Sequence, residues 1–415
     1  MTPSENSIIV GVPLKGFAQW GGGIDIIRLI LEGLLHDPKV KVIALIPRTT
    51  WIQRIRAHLR VMVERYRAFS RGTGGMIPTR PPSPETIRAA IEDFLPRISV
   101  HFYGDTPRGL VAALQKCGAT VALPCFEPMP QKCPVPWVGY LYDFQHRHLP
   151  KYFSDTEQMV RDLAFSVMTA AAPAMICNSE TVLSDAERFF PNSSARIVSL
   201  PFAPVPRAEW FDLDALQAQI KYGIPRRYFI VCNQFWIHKD HPTAIKAYSA
   251  FLSLSQEQGV DLVCTGGLED YRAPSYIESI RDLISQLGLQ SRVHLLGRIP
   301  KNDQIALLHG AIALLQPTLF EGGSGGGAVY DAVALGVPAL VSDIEVNREI
   351  DDPYCRFFKQ GDPASLATLM IQAVESEPCR ATREELLAKA SGMVEGLHGA
   401  LKKAIQMAQH RPGLS

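Results

Sequence analysis

Five glycines crowd one turn of this sequence: Gly322, Gly323, Gly325, Gly326 and Gly327. Ser324 lies among them, Glu321 before them and Asp331 after them. An apolar run ends just upstream at Gln316. A helical pattern follows from about Ala328 to Leu335 and is stopped by Gly336. Glycine lets backbone N–H groups approach an anion closely, and a helix start adds partial positive charge. A strand, such a turn and a helix, in that order, suit a diphosphate; a flexible loop without a ligand requires neither that placement nor the flanking acids. A second such stretch is Val231–Pro242, VCNQFWIHKDHP. It carries Gln234 and Lys239 between a strand and a helix with Pro242 in its first turn. A third, Tyr142–His148 (YDFQHRH), follows the apolar run Trp137–Leu141 and offers Asp143, His146 and His148. The sequence contains no convincing metal-ligand set, and neither a metal nor a resident cofactor is expected.

Short β-rich runs alternate with helical patterns almost throughout. In the first half the strand candidates are Ile8–Val12, Val40–Ile46, Ile98–Tyr103, Thr120–Pro124, Trp137–Leu141, Ala174–Asn178 and Ile197–Leu200. In the second half they are Tyr228–Cys232, Asp261–Cys264, Val293–Leu296, Ile312–Leu315, Ala339–Val341 and Arg356–Phe358. Many are continuously apolar, as parallel strands covered on both faces must be. Gly21-Gly22-Gly23 is expected as the turn between the first strand and a helix over Ile24–Leu35. The rhythm predicts an α/β fold of two Rossmann-like domains whose parallel sheets face a cleft, with ligands beyond the carboxyl ends of the strands. The proline-rich stretch Leu200–Trp210 is the expected linker and hinge. The expected division is 1–205, 206–390 and a helical tail over 391–415 that packs back on the first domain.

The chain has 415 residues, 47% of them hydrophobic and 20% charged, which excludes wholesale disorder. A formal charge of +1 argues against a dedicated nucleic-acid partner. Eight scattered cysteines without a C-x-x-C pair, and a beginning unlike a signal peptide, fit a reducing cytoplasm. Within 51–71, Ile52, Ile55, Leu59, Met62, Tyr66 and Phe69 form a helical stripe flanked by six arginines. Such a helix either lies peripherally on the anionic inner face of a membrane or packs on the core with a solvated basic face.

The glycine-rich stretch resembles the donor-binding motif of retaining glycosyltransferases of family four (group 1), enzymes of the GT-B fold. Glu321-Gly322 matches the opening of that motif, and Asp331-Ala332-Val333-Ala334-Leu335-Gly336-Val337-Pro338 its close. The two acids stand ten apart instead of eight, and the second is Asp in place of Glu. The resemblance extends to Lys239, with Asn233-Gln234 replacing the usual Gly-Arg, and to Thr265-Gly266-Gly267. It also reaches Val293–Arg298 (VHLLGR), Ser342-Asp343…Glu349, and Asp143 and His146 in an H-D-x-Q-H-like stretch that begins with Tyr142.

The resemblance implies roles. Glu321 would bind the donor sugar's hydroxyls and Asp331 the nucleotide ribose. Lys239, Gln234, Gly22, Gly23, Gly266 and the backbone of Gly322–Gly327 would face the diphosphate, and Arg298 and Ile299 the base. Asp143 and His146 would lie near the anomeric carbon and the acceptor. The implied activity is transfer of a sugar, with retention, from a UDP- or GDP-sugar to a glycan, lipid-linked or small-molecule acceptor, in cell-surface polysaccharide or glycoconjugate synthesis. A nucleotide-sugar epimerase and a non-catalytic nucleotide-sugar-binding subunit are the rival readings.

Overall fold

The computed structural model describes residues 7–19, 21–48, 82–225, 227–376 and 381–410. The basic stripe of 51–71 lies outside these residues, as does Cys379. The other seven cysteines are free thiols. The described residues form two compact units, one of 7–201 with 394–410 and one of 202–393.

The first unit is built on a seven-stranded parallel sheet. Its strands are β1 (Ile8–Pro13), β2 (Val40–Arg48), β3 (Ser99–Gly104), β4 (Val121–Cys125), β5 (Trp137–Leu141), β6 (Ala174–Cys177) and β7 (Arg196–Ser199), in the order β3-β2-β1-β4-β5-β6-β7. The second unit has a six-stranded parallel sheet of β8 (Arg227–Cys232), β9 (Val260–Thr265), β10 (Val293–Gly297), β11 (Leu314–Gln316), β12 (Ala339–Ser342) and β13 (Cys355–Phe358). Its order is β10-β9-β8-β11-β12-β13. Both orders reverse once, between β1 and β4 and between β8 and β11. Each sheet is therefore doubly wound, and each expected strand is present within a few residues of its expected bounds. β4, β5, β6, β9, β11 and β12 are buried along their whole length, which is why their sequences are largely apolar; Asp261 within β9 is the buried charge, accepting from Arg292 Nε at 2.8 Å.

Six helices carry the argument: α1 (Gly21–Leu35), α2 (Asp155–Ala171), α3 (His241–Leu254), α4 (Lys301–Gly310), α5 (Gly326–Ala334) and α6 (Arg383–Gln409). Two begin earlier than the sequence suggested. The triglycine forms the first turn of α1 rather than a separate turn, and α5 starts at Gly326 instead of Ala328. In both, packing of the apolar helix face outweighs the low helix propensity of glycine. The end of α5 is as expected. Gly336 takes φ +64°, donates to Val333 O at 3.1 Å, and lets Val337 donate to Ala332 O at 2.8 Å. α2 opens with a reciprocal cap between Ser154 and Glu157. Ser179 caps the next helix through Val182 N at 3.1 Å, a structural part for the Asn178-Ser179-Glu180 turn. From Val394 onward α6 belongs to the first unit. There Leu397 and Leu401 lie so close to Gly33 that a Cβ on it would sit 2.8 Å from each.

Candidate functional site

The candidate site lies at the reversal point of the second unit, beyond the carboxyl ends of β8 and β11. Two amide side chains close the gap between these strands. Asn233, just after β8, donates to Gln316, the buried last residue of β11, at 2.7 Å. The other end of Gln316 reaches the glycine turn, donating to Glu321 Oε1 at 3.1 Å and to Gly325 O at 2.9 Å. From the opposite side Gly325 N donates to Asn347 Oδ1 at 2.8 Å. Asn347 in turn donates to Ser342 O at 2.8 Å, and Ser342 Oγ to Thr318 O at 2.6 Å. The turn is thus held in shape by the protein's own buried amides and a hydroxyl. Such preorganisation is what an anion-binding backbone requires.

Gly325 and Gly326 both take left-handed backbone angles, φ +73° and +65°. A Cβ on Gly325 would overlap Val329 at 2.5 Å, and one on Gly326 would sit 2.9 Å from the Glu321 carboxylate. Gly322, Gly323 and Gly326 are half-buried and Gly327 is exposed, so the outer rim of the turn is open. The first turn of α5 holds neither an acidic residue nor a side-chain cap. Its amides therefore keep their partial positive charge. Gly326→Ala combines backbone strain of about 1–3 kcal/mol with displacement of Glu321. We expect it to weaken nucleoside diphosphate binding roughly tenfold or more, as titration calorimetry would register, while the chain stays folded. Unchanged affinity would remove Gly326 from the site.

Lys239 and Glu321, 82 residues apart, form an ion pair whose side chains are only 11% and 10% exposed. Lys239 ends a short 3-10 turn, Ile237–Lys239. Asp240 follows in a left-handed conformation, φ +50°, and leads into α3. Two histidines flank the lysine. Burial, reinforced by the Lys239 charge, holds His238 well below the ordinary imidazole range. Burial and then Lys239 push His241 down to about 3. Both are neutral at physiological pH, so the ammonium is the cation that this turn presents. His241 stacks on Phe235 with ring centroids 4.0 Å apart.

The neighbouring turn is knitted to this one. Gly267 N donates to Gln234 Oε1 at 2.8 Å, and Phe235 N to Gly267 O at 2.9 Å. Gly266, at φ +133°, allows the contact, since a Cβ there would lie 2.0 Å from Asn233 O. Gln234 therefore anchors the Gly266-Gly267 turn. Arg298 is exposed at the end of β10, and its guanidinium would lie 3.7 Å from a Cβ on Gly267. Ile299 is half-buried against the core.

Asp331 pairs with Lys301, a residue that sequence reasoning missed; the ammonium also lies 5.9 Å from the Trp210 ring centroid. A signal was present. Lys301 opens α4, where a cation opposes the helix dipole unless something else holds it. Gln316, Asn233 and Asn347 were also missed as anchors. Polar amides at or just beyond the ends of apolar strands were the available sign for the first two.

In the first unit, Gly22 is half-buried and Gly23 buried at the start of α1. Asp143 accepts from Gln145 N at 2.9 Å and from Arg161 Nη2 at 2.7 Å. His146 is wholly buried among Phe144, Phe153 and Phe165, its Nε2 2.8 Å from Asp162. Burial lowers its pKa, with the Asp162 hydrogen bond opposing. Asp162 also accepts from Arg147 Nε at 2.9 Å. His148 pairs separately with Asp185 at 2.6 Å. The first-unit residues and the Lys239–Glu321 turn belong to different units, and each set is organised within its own. Among the described residues no cluster of three His, Cys, Asp or Glu side chains is placed to hold a metal, and no helix is long and apolar enough to cross a membrane.

Residues 217–391 match the family model described as "Glycosyl transferases group 1". No curated protein matches the chain. Among solved structures, HepE of Anabaena in complex with UDP and glucose has a TM-score of 0.57 at 12% identity, over 97% of each chain. The UDP-forming alpha,alpha-trehalose-phosphate synthase of Burkholderia xenovorans has 0.57 at 11% identity, over 98% of this chain and 99% of that one. Sucrose-phosphate synthase of Thermosynechococcus elongatus has 0.55 at 14%, over 97% and 96%. The fold is the two-domain GT-B architecture.

Proposed function

From the premise that residues 217–391 form a group 1 glycosyl transferase domain and that the chain is a glycosyltransferase, we propose that it transfers a sugar, with retention, from a UDP- or GDP-sugar to a glycan, lipid-linked or small-molecule acceptor in cell-surface polysaccharide or glycoconjugate synthesis. The observation that carries this reading is the Lys239–Glu321 pair set against Gly326 at the reversal point of the sheet. The UDP and UDP-glucose complexes of HepE add support for a UDP-sugar.

The bond from the anomeric carbon to the diphosphate oxygen breaks, and a bond to the acceptor oxygen forms on the same face. The acceptor proton passes to the departing phosphate oxygen. Negative charge grows on the diphosphate, where the Lys239 ammonium and the amides of the glycine turn and of α5 receive it. Glu321 accepts hydrogen bonds from the sugar's hydroxyls. Asp331 accepts from the ribose with Lys301 beside it, and Arg298 and Ile299 border the base. Asp143 stays in the proposal as an acceptor-side group. The enclosure of His146 favours a positioning part, holding the Tyr142–His148 turn through Asp162. The protein acts from the cytoplasm, peripherally on the inner membrane face where the acceptor is lipid-linked.

Incubation with UDP-glucose, UDP-galactose or GDP-mannose and a saccharide panel tests the reading. The expected result is acceptor-dependent release of the nucleoside diphosphate, with the anomeric configuration unchanged by NMR. Inversion would overturn the retaining step. A sugar altered without acceptor would favour an epimerase, and tight donor binding without turnover a binding subunit.

A further inference from the structure

A second polar cluster stands at the carboxyl edge of the first unit's sheet, on the loops that leave β1, β3 and β4. Lys15 follows β1, Asp105 follows β3, and Glu127 lies just beyond β4. Lys15 Nζ lies 3.0 Å from Glu127 Oε2 and 3.3 Å from Asp105 Oδ1. The cluster is reachable: the Lys15, Asp105 and Glu127 side chains are 31%, 21% and 58% exposed. Tyr103, the penultimate residue of β3 and two residues before Asp105, is only 5% exposed and packs in the same buried cluster as Cys125 and Met129, which stand two residues either side of Glu127 in the chain. The Tyr103 hydroxyl is buried and has no hydrogen-bond partner among the described residues. Burial raises the pKa of this phenol, and the charges of Asp105 and Glu127 and the Cys125 thiol add to the effect. Burial also opposes the charge on Lys15, but Glu127 and then Asp105 outweigh it and leave its pKa raised. Phe126 forms the apolar wall beside the cluster. The Gly16 backbone, at φ +87°, packs so closely on its ring that a Cβ would lie 2.5 Å away.

A buried hydroxyl left without a partner is costly, so a native structure that keeps one has a reason for it. Here the reason also bears on the kind of ligand. One ammonium stands against two carboxyl groups, and the ammonium is already engaged by both. Carboxylates accept hydrogen bonds and repel anions, while a phenol hydroxyl can both donate and accept. This inventory suits a molecule rich in hydroxyl donors and without negative charge.

We propose that Lys15, Asp105, Glu127 and Tyr103 form a subsite for a neutral, polyhydroxylated sugar that excludes phosphorylated or carboxylated ones. The proposal rests on the transferase reading above only in taking that sugar to be the acceptor.

Ligand-observed NMR on the full chain tests it. Methyl α-glucoside, methyl α-galactoside and methyl α-mannoside serve as neutral probes, and glucose 6-phosphate as the anionic one. At least one methyl glycoside should bind, with glucose 6-phosphate weaker by tenfold or more. Glu127→Gln should weaken the glycoside roughly tenfold and narrow the gap to glucose 6-phosphate. Tyr103→Phe should weaken the glycoside about three- to tenfold while thermal stability holds or rises, because an unpaired buried hydroxyl has been removed. A purely structural tyrosine would instead lower stability and leave binding alone. No glycoside binding, preference for glucose 6-phosphate, or indifference to both variants would overturn the subsite. UDP and GDP affinities measured on the same samples keep the two readings apart. Glycoside failure with intact nucleotide binding sinks the subsite alone, and nucleotide failure with intact glycoside binding sinks the donor site alone.

Discussion

Replacing Lys239 with alanine should lower turnover by a factor of about 10²–10³, the usual effect of removing one group that stabilises developing negative charge. The single variant also leaves the Glu321 carboxylate, 10% exposed, without its ammonium. Breaking a buried pair from one side costs about 3–5 kcal/mol, so a loss of stability will accompany the loss of activity. The paired variant Lys239→Met with Glu321→Gln separates the two. It removes both charges at similar volume, and the new side-chain amide still offers Gln316 an acceptor. Urea unfolding should show most of the stability recovered, while steady-state kinetics show turnover still depressed. Recovery of turnover in the paired variant would mean that Lys239 serves only to neutralise Glu321.

Glu321→Gln alone should act in two directions at once. In the ligand-free protein the carboxylate holds the ammonium that the diphosphate needs. Freeing Lys239 should tighten UDP or GDP binding about tenfold, equivalent to roughly 1.4 kcal/mol. The same change removes the anionic acceptor for the sugar's hydroxyls, so the ratio of kcat/KM values among donor sugars should shrink. Calorimetry with the nucleoside diphosphate and competition between two donors measure the two effects. Unchanged diphosphate affinity together with unchanged donor preference would place both the sugar and the diphosphate elsewhere.

The parts legible in the sequence were those whose cause is local. Strands buried on both faces are apolar throughout unless a charge is paired, so β4, β5 and β6 stood out without any neighbour being known. The glycine turn and the Gly336 stop were legible because only glycine takes those backbone angles easily. What was not legible is set by topology. The partners Lys239 and Glu321 are 82 residues apart, and Lys301 and Asp331 are 30 apart; the strand order brings each pair together, and no spacing rule encodes it. The resemblance set Gln234 facing the diphosphate, and nothing local announced that its side chain anchors the Gly266-Gly267 turn. The resemblance also set His146 near the anomeric carbon and the acceptor, and no local pattern showed that Phe144, Phe153 and Phe165 enclose its ring. The Lys15, Asp105 and Glu127 cluster left no trace in the sequence, since its members come from loops after three different strands.

The most direct test of the central claim is a crystal structure of the protein soaked with its nucleotide sugar. The diphosphate should lie within hydrogen-bond distance of the Lys239 ammonium and of backbone amides between Gly322 and Gly327, with a sugar hydroxyl on Glu321. Electron density for the diphosphate away from both that ammonium and those amides would contradict the account.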